Sequence, residues 1–483
     1  MHHFRAFFHA MPSNVSGVDP LRANHLKTWR TLALSVGIQG PVAGVIVGPA
    51  VLASLVGPAG ALAYLLGFVA MSFVAYAFVI FSRRMHSAGS VYAFNAAALG
   101  PRFGFVSAWT LLLVYISFAS AVYASSADIA QNLAASVGVH LPWIFFALAG
   151  FVLTIAVAYR PLQYATSVML VVEVVAVVLL AVVAVAVIGR SGVHHALSLH
   201  PFSPRGVSWG ALGLGVVNAF GAFSGFEGAA VLGEESSAPH RSIPRAIAAS
   251  LVGSALVYIF FTWVADNAYA SPASLANDPA PFVHLGQTYV GSGMGTAVNI
   301  AGVISAFGAQ LACVVAANRL IYALGRDVFS PGPFRRFITA VHPRHGTPRG
   351  ALLVTAASSL ALLLAFSTEP TAVRALTLIV EYGAYLIILA YLLTVGAAAV
   401  WVVRQRGSLR SLLALLLGVL VLGVVVYDTF HPWPPAPYSW IIATAALSVT
   451  FGVALSRIPG VSARLHDSPV LLTYRPSTPP LKA

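Results

Sequence analysis

Long apolar runs alternate with short polar segments along almost the whole chain, and this alternation predicts its elements. A bilayer core takes about 20 apolar residues as a helix. Twelve stretches meet or approach that length: residues 31–55, 61–81, 103–130, 141–158, 164–188, 209–232, 246–265, 294–324, 351–366, 375–403, 409–427 and 438–455. Residues 1–29 and 457–483 read as tails, 30–403 as a core of ten spans, and 404–456 as two peripheral spans. The expected fold class is all-α and integral to a membrane, with twelve helices.

Composition agrees: of 483 residues, 59% are hydrophobic and 8% charged, whereas ordinary soluble domains are roughly half apolar. A formal net charge of +13 would suit a nucleic-acid binder if the basic residues formed one patch or stripe on a folded surface. Instead they lie in the polar segments between spans. With both termini cytoplasmic, 23 of the 26 Lys and Arg fall on the cytoplasmic side, and Arg190, Arg205 and Arg374 lie outside it. That bias orients membrane proteins, and basic loops facing anionic lipid account for the charge without nucleic acid. The expected location is the cytoplasmic (inner) membrane. The N-terminal stretch lacks the apolar core and cleavage site of a secretory signal and reads as a cytoplasmic tail. Its His2, His3 and His9 read as a frayed polar end, and Cys313 has no second cysteine to pair with.

Two spans carry residues that disrupt helices. The first contains LSVGIQGPVAGVIVGP, with Gly37, Gly40, Pro41, Gly44, Gly48 and Pro49; the sixth carries Gly221, Gly225, Gly228 and Gly233 around Glu227. Glycine also serves close packing of membrane helices. Recurrence at matching positions argues for more: Pro41 and Gly225 are 184 residues apart, and the second and seventh spans start 185 residues apart, at Ala61 and Ala246. Five spans then repeat as five, and because five is odd the second set crosses the membrane in the opposite sense, an arrangement found in carriers. A backbone opened at mid-membrane frees N–H and C=O groups that need partners in protein, water or ligand. A zwitterion offers both kinds. Half-helix N-termini suit a carboxylate and opposing carbonyls suit an ammonium. The carboxylate is expected at the first break, Gly40 to Gly44, and the ammonium at the second, Phe223 to Phe226.

The stretch FSGFEGAAVLGEESSAPHRSIPRAI resembles the sixth-helix signature of the amino acid, polyamine and organocation (APC) transporters. AANRLIYALGRDVFSPGPFRRFITAVHPRHGTPRGAL, residues 316–352, is similar to that family's eighth helix and following loop, and RRMHSAGSVYAFNAAALGPRFGFVSAW, residues 83–109, to its second-to-third-helix segment. The resemblance implies a 5+5 inverted repeat (the LeuT/APC-like fold) with discontinuous helices one and six, two peripheral helices, and alternating access around a central site. It also implies substrate contacts from Ile38, Gln39, Gly40, Pro41, Ala43 and Gly44 in the first helix, and from Phe223, Ser224, Gly225 and Phe226 in the sixth. For the two phenylalanines, stacking on the substrate, gating and plain helix packing all stay open.

The buried acids are the other candidates. Glu227 lies within reach of the N–H groups freed at the second break, so it either holds the unwound segment by hydrogen bonds or acts as a proton-linked switch. Glu173, in VMLVVEVVAVVLL, has only apolar neighbours and lies about 15 Å into the fifth span. Some members of the resembled family carry a lysine in this helix, so their lysine-based mechanism does not transfer to an acid. Glu173 reads either as a proton carrier or sensor, or as a protonated acid bonded to a neighbouring helix. Glu234 and Glu235 are expected to form a solvated gate or clasp with Arg241 and Arg245. Glu381 and Asp128 lie toward the outer ends of their spans, and Tyr115, Ser117 and Ser305 are candidate pocket hydroxyls.

Enzyme chemistry finds little support. No glycine cluster follows a strand in a βα pattern, as a nucleotide loop requires. His194, His195 and His200 read as a polar outer connector, the glycosylation triplet at Asn14, Val15 and Ser16 falls on the wrong side, and GSVYAFN reads as a short amphipathic loop. Two classes remain: a secondary transporter, or a polytopic sensor or enzyme without vectorial flux. The paired breaks favour a proton-coupled amino acid permease, with an amine or polyamine transporter or an amino acid exchanger as alternatives. No metal or cofactor is expected beyond a coupling proton, and no firm sodium site is evident. The expected partners are a small solute and the lipid bilayer, with the oligomeric state open.

Overall fold

The computed structural model describes residues 18–23, 26–135, 137–194 and 198–466. His2, His3, His9, the triplet at Asn14 and His195 lie outside the described residues. The elements, in order, are α1 (Thr28–Gln39), α2 (Pro41–Val56), α3 (Gly60–Ser82), α4 (Val91–Leu99), α5 (Pro101–Ala135), α6 (Trp143–Ala158), α7 (Leu162–His194) and α8 (Trp209–Ala222). A 3-10 helix, Phe226–Leu232, leads to α9 (Pro239–Ala268), α10 (Pro272–Ala276), α11 (Pro281–Tyr289), α12 (Ser292–Val328) and α13 (Pro333–Thr339). The described residues continue with α14 (Arg349–Ala365), α15 (Ala372–Arg404), α16 (Leu409–Phe430), α17 (Tyr438–Arg457) and α18 (Pro459–His466).

Among the described residues, ten helical stretches are long and apolar enough to cross a membrane, counting α1 with α2, and α8 with the 3-10 helix, as one each. The chain is thus a multi-pass membrane protein with an all-helical core. Two more expected spans form the shorter apolar helices α6 and α14. Local chemistry explains where several helices begin. The side chains of Ser208, Thr371 and Ser408 each accept from a backbone N–H in the first turn of α8, α15 and α16, satisfying donors that a helix start leaves free. Pro41 and Pro239 occupy first-turn positions, where the missing N–H costs nothing. Pro49, by contrast, lies inside α2 without ending it.

The long helices α5 and α12 run through the centre, packed on each other, with α15 against α5 and α3 against α9. Outward residues of α16 and α17 are large and apolar, among them Leu416, Leu420, Leu447 and Phe451, which suits lipid contact. One expectation is overturned. The GSVYAFN segment is not an amphipathic loop: residues from Val91 form α4, whose side chains are almost all buried. Asn95 is held by Ser107 Oγ at 2.7 Å and Thr394 Oγ1 at 3.2 Å. Alanine-rich, polar-poor spacing allows this helix to be packed on all sides, which a short window does not reveal.

Candidate functional site

The first span breaks at one residue. Gly40 takes a left-handed conformation (φ 49°, ψ 54°), its N–H bonding back to Val36 and Gly37 carbonyls, and α2 restarts at Pro41. The sixth span breaks over a longer stretch. α8 ends at Ala222, Phe223 and Ser224 turn, and Gly225 (φ 107°) caps the following 3-10 helix. Positive φ is the conformation that favours glycine, so both breaks depend on residues the sequence marks plainly.

The fold brings the two breaks into contact. A Cβ placed on Gly225 would lie 2.5 Å from Ile38 Cγ2 and 3.1 Å from Gln39 N. Gln39 Nε2 donates to the Phe223 carbonyl at 3.1 Å, and Ser35 Oγ donates to the Phe226 carbonyl at 2.7 Å while accepting from Ala229 N at 2.8 Å. The Tyr258 hydroxyl lies 3.2 Å from both the Gln39 and Ala222 carbonyl oxygens, and Ser254 Oγ donates to Gln39 Oε1 at 3.0 Å. These loosened main-chain groups thus find partners within the chain itself.

Both buried acids belong to this arrangement. Glu227, fully buried, accepts from Gly225 N at 3.0 Å and Tyr391 OH at 2.8 Å on one oxygen, and from Tyr115 OH at 3.3 Å on the other. Glu173, on α7, accepts from Val42 N at 2.9 Å and from Ser305 Oγ at 2.7 Å. Gly40 has no side chain to cap α2, so a carboxyl from another helix does so.

The other expected residues sort by location. Ile38, Gln39, Pro41, Phe223, Ser224 and Phe226 are buried, while Ala43 and Gly44 are half-buried, with the Tyr258 ring closing on Gly44. Phe223 packs edge-on to Tyr64 and Tyr258, and Phe226 meets Phe78 and Tyr391, so each ring sits in an aromatic cluster. Tyr115 and Ser305 serve the two acids. Ser117 instead donates to the Ile379 carbonyl at 2.6 Å, joining α5 to α15. Asp128 has Asn132 beside it at 3.5 Å, and among the described residues neither it nor Glu381 bonds to a break. Sequence reasoning missed Ser35, Tyr258 and Tyr391. Their hydroxyls come from the interiors of α1, α9 and α15, with no local signature.

The acidic pair after the sixth span requires a correction. Glu234 pairs with Arg326 at 2.8 Å, and Glu235 with Arg319 at 3.2 Å, rather than with Arg241 and Arg245, which are exposed on α9. The Arg319–Glu235 pair is buried, so it is not a solvated clasp. Sequence proximity suggested the wrong arginines because α12 crosses the end of the sixth span. Burial alone would raise the Glu234 carboxyl, but the Arg326 guanidinium and the Ala88 N–H bring it below the ordinary carboxylate range. Removing one member of the buried pair leaves an uncompensated charge, so Arg319→Leu is expected to cost about 3–5 kcal/mol. Thermal unfolding in detergent checks this, and the double change with Glu235→Leu should recover most of the loss.

Among the described residues, no group of three or more His, Cys, Asp or Glu could hold a metal ion. A cavity of about 500 Å³ lies away from both breaks, among Trp109, Leu113, Phe334, Leu362, Tyr382 and Ile441. Its lining is nearly all apolar, so the polar chemistry points to the breaks and not to this cavity.

Two broken helices in contact, braced by buried acids inside a multi-pass bundle, are an arrangement found in membrane carriers. The chain belongs to the amino acid permease family, whose model matches residues 26–474. It is 25% identical over 315 residues to the branched-chain amino acid permease BcaP of Bacillus subtilis, covering 60% of this chain and 64% of that relative, a little under two thirds of its length. It is 27% identical over 304 residues to the low-affinity putrescine importer PlaP of Escherichia coli, covering 62% and 65% of the two chains. An uncharacterized transporter of Mycobacterium tuberculosis is 30% identical over 417 residues, 84% of this chain and 86% of the relative. These relatives are transporters, not enzymes.

Proposed function

We propose that the protein is a secondary transporter that moves an amino acid across the cytoplasmic membrane by alternating access, coupled to protons. On this reading, twelve spans form two inverted sets of five plus a peripheral pair, with both termini cytoplasmic. The observation that carries it is the contact between the two breaks, Gly225 against Ile38 and Gln39. A solute reaching both breaks meets donors and acceptors from each at once, and their parting changes which side is open. The substrate contacts are the main chain of Ile38, Gln39, Gly40, Pro41, Ala43 and Gly44 with that of Phe223, Ser224, Gly225 and Phe226, replacing bonds the chain now makes to itself. The coupling proton is assigned to Glu173, and Glu227 to bracing the second break. A branched-chain permease among the relatives favours an apolar amino acid.

A second reading, a carboxylate-free amine, is favoured by the occupied N–H of Val42 and by the putrescine importer. Purified protein in liposomes should accumulate labelled leucine when the outside is made acid, and lose that accumulation when a protonophore is added. Uptake of putrescine but not of any amino acid would select the second reading. Lack of flux for both solute classes would overturn transport.

A further inference from the structure

The start of α2 has few donors left to offer. Pro41 has no N–H, Gly44 N bonds to the Gly40 carbonyl at 3.1 Å, and Val42 N–H is taken by Glu173, which leaves Ala43 N–H as the remaining donor of the first turn. The second oxygen of Glu173 is held by Ser305, so the carboxyl is fastened to α2 on one side and α12 on the other. The position that would receive a substrate's carboxylate therefore already holds a carboxyl group, one the chain provides.

We propose that Glu173 is a resident stand-in for the substrate carboxylate: it takes the Val42 N–H while the site is empty and surrenders it to an arriving solute carboxylate by taking up one proton. This rests on the amino acid reading above. Two ionised carboxylates cannot share one N–H in a buried site, because like charges disfavour the ionised form of both. Glu173 cannot simply retreat ionised either. Among the described residues, no Lys, Arg or His on the helices packed around α7 (α1, α2, α6, α9, α11 and α12) forms an ion pair with Glu173, and Tyr258 of α9 offers no positive charge. His284 of α11 is engaged by Asp278. Glu173 thus accepts a proton from the open aqueous side, forming the neutral acid, and keeps Ser305 as its partner. The solute carboxylate then accepts the Val42 N–H. The exchange conserves the hydrogen bond to α2 and adds one proton for each carboxylate bound.

The consequence separates solutes by a single group. An amine without a carboxylate does not compete for Val42, so its binding carries no proton. The test uses the purified full chain and two probes, leucine and its decarboxylated analogue 3-methylbutylamine, with binding measured between pH 5 and 8. Leucine affinity is expected to rise about tenfold per unit of acidification where free Glu173 is ionised, as linkage to one proton requires, while binding of the amine stays flat. Glu173→Gln should flatten the leucine profile. Ser305→Ala, which deletes a donor to the ionised carboxylate, should move the wild-type midpoint about one unit to the alkaline side; this change also serves if Glu173→Gln does not fold. A pH-independent leucine affinity in the wild type, or a wild-type profile in Glu173→Gln, would overturn the competition while leaving transport standing. Binding of the amine alone would overturn the amino acid reading and this inference with it.

Discussion

Replacing Gly225 by alanine is expected to abolish uptake, while the same replacement at Gly253 leaves it intact. Two costs combine at Gly225. Its φ of 107° lies where side-chain-bearing residues are strained by about 1–2 kcal/mol. The added Cβ would also lie 2.5 Å from Ile38 Cγ2 and 2.9 Å from Ile38 Cβ, inside the contact distance of any real methyl group. Ile38 sits one residue before Gln39, whose side chain holds the Phe223 carbonyl, so relief of the clash pulls at a bond joining the two breaks. The uptake rate should fall by about a hundredfold or more, which corresponds to about 2.7 kcal/mol or more at the transition between states. Gly253, on α9, has ordinary φ and nothing within 4 Å of an added Cβ. Initial rates in liposomes, normalised to folded protein, test the pair. Equal rates for the two variants would show that the contact of the breaks is not used.

The second large effect is expected at Glu227, where the size of the loss should depend on the replacement. Glu227→Ala removes the acceptor for Gly225 N–H, Tyr391 OH and Tyr115 OH together. Each buried donor left without a partner costs about 1–3 kcal/mol. Tyr391 OH already lies 3.4 Å from Gly225 N and recovers part of this, so the net loss should be about 3 kcal/mol. Glu227→Gln keeps a carbonyl for Gly225 and Tyr391 and turns its amide toward the Tyr115 oxygen, so it should stay within about 1 kcal/mol of wild type. Melting temperature and uptake are the two readouts. A stable glutamine variant whose uptake has lost its pH dependence would mark Glu227 as the proton switch and remove bracing as its main role.

Several parts of this design are written locally and can be read from the chain. The spans follow from apolar length, and the starts of α8, α15 and α16 from a serine or threonine followed by a turn of helix. The breaks follow from Gly40–Pro41 and from the glycines around Glu227, because positive φ and a missing N–H are properties of single residues. The bracing of the second break by Glu227 was legible for the same reason: Gly225 is two residues away.

Other parts depend on residues far apart. Val42 and Glu173 are separated by 131 positions, Ser35 and Phe226 by 191, and Glu227 and Tyr391 by 164. An acid alone in a valine-rich helix shows that it needs a partner, but not which one. The pairing of Glu234 and Glu235 was misread for this reason. Arg241 and Arg245 are nearer in sequence, but they turn outward on α9, while Arg319 and Arg326 arrive on α12.

By itself the sequence determined that this is a many-spanned membrane protein of the amino acid permease family, with two helices unable to run unbroken and acids placed beside the breaks. Tertiary structure alone decided that the breaks touch, that the chain completes its own opened backbone, and that a carboxyl from α7 takes the N–H at the start of α2. The division has a physical cause. Helix length, backbone conformation and the need to satisfy a buried charge are set by each residue and its near neighbours, whereas the partner that satisfies it depends on how separate helices are packed.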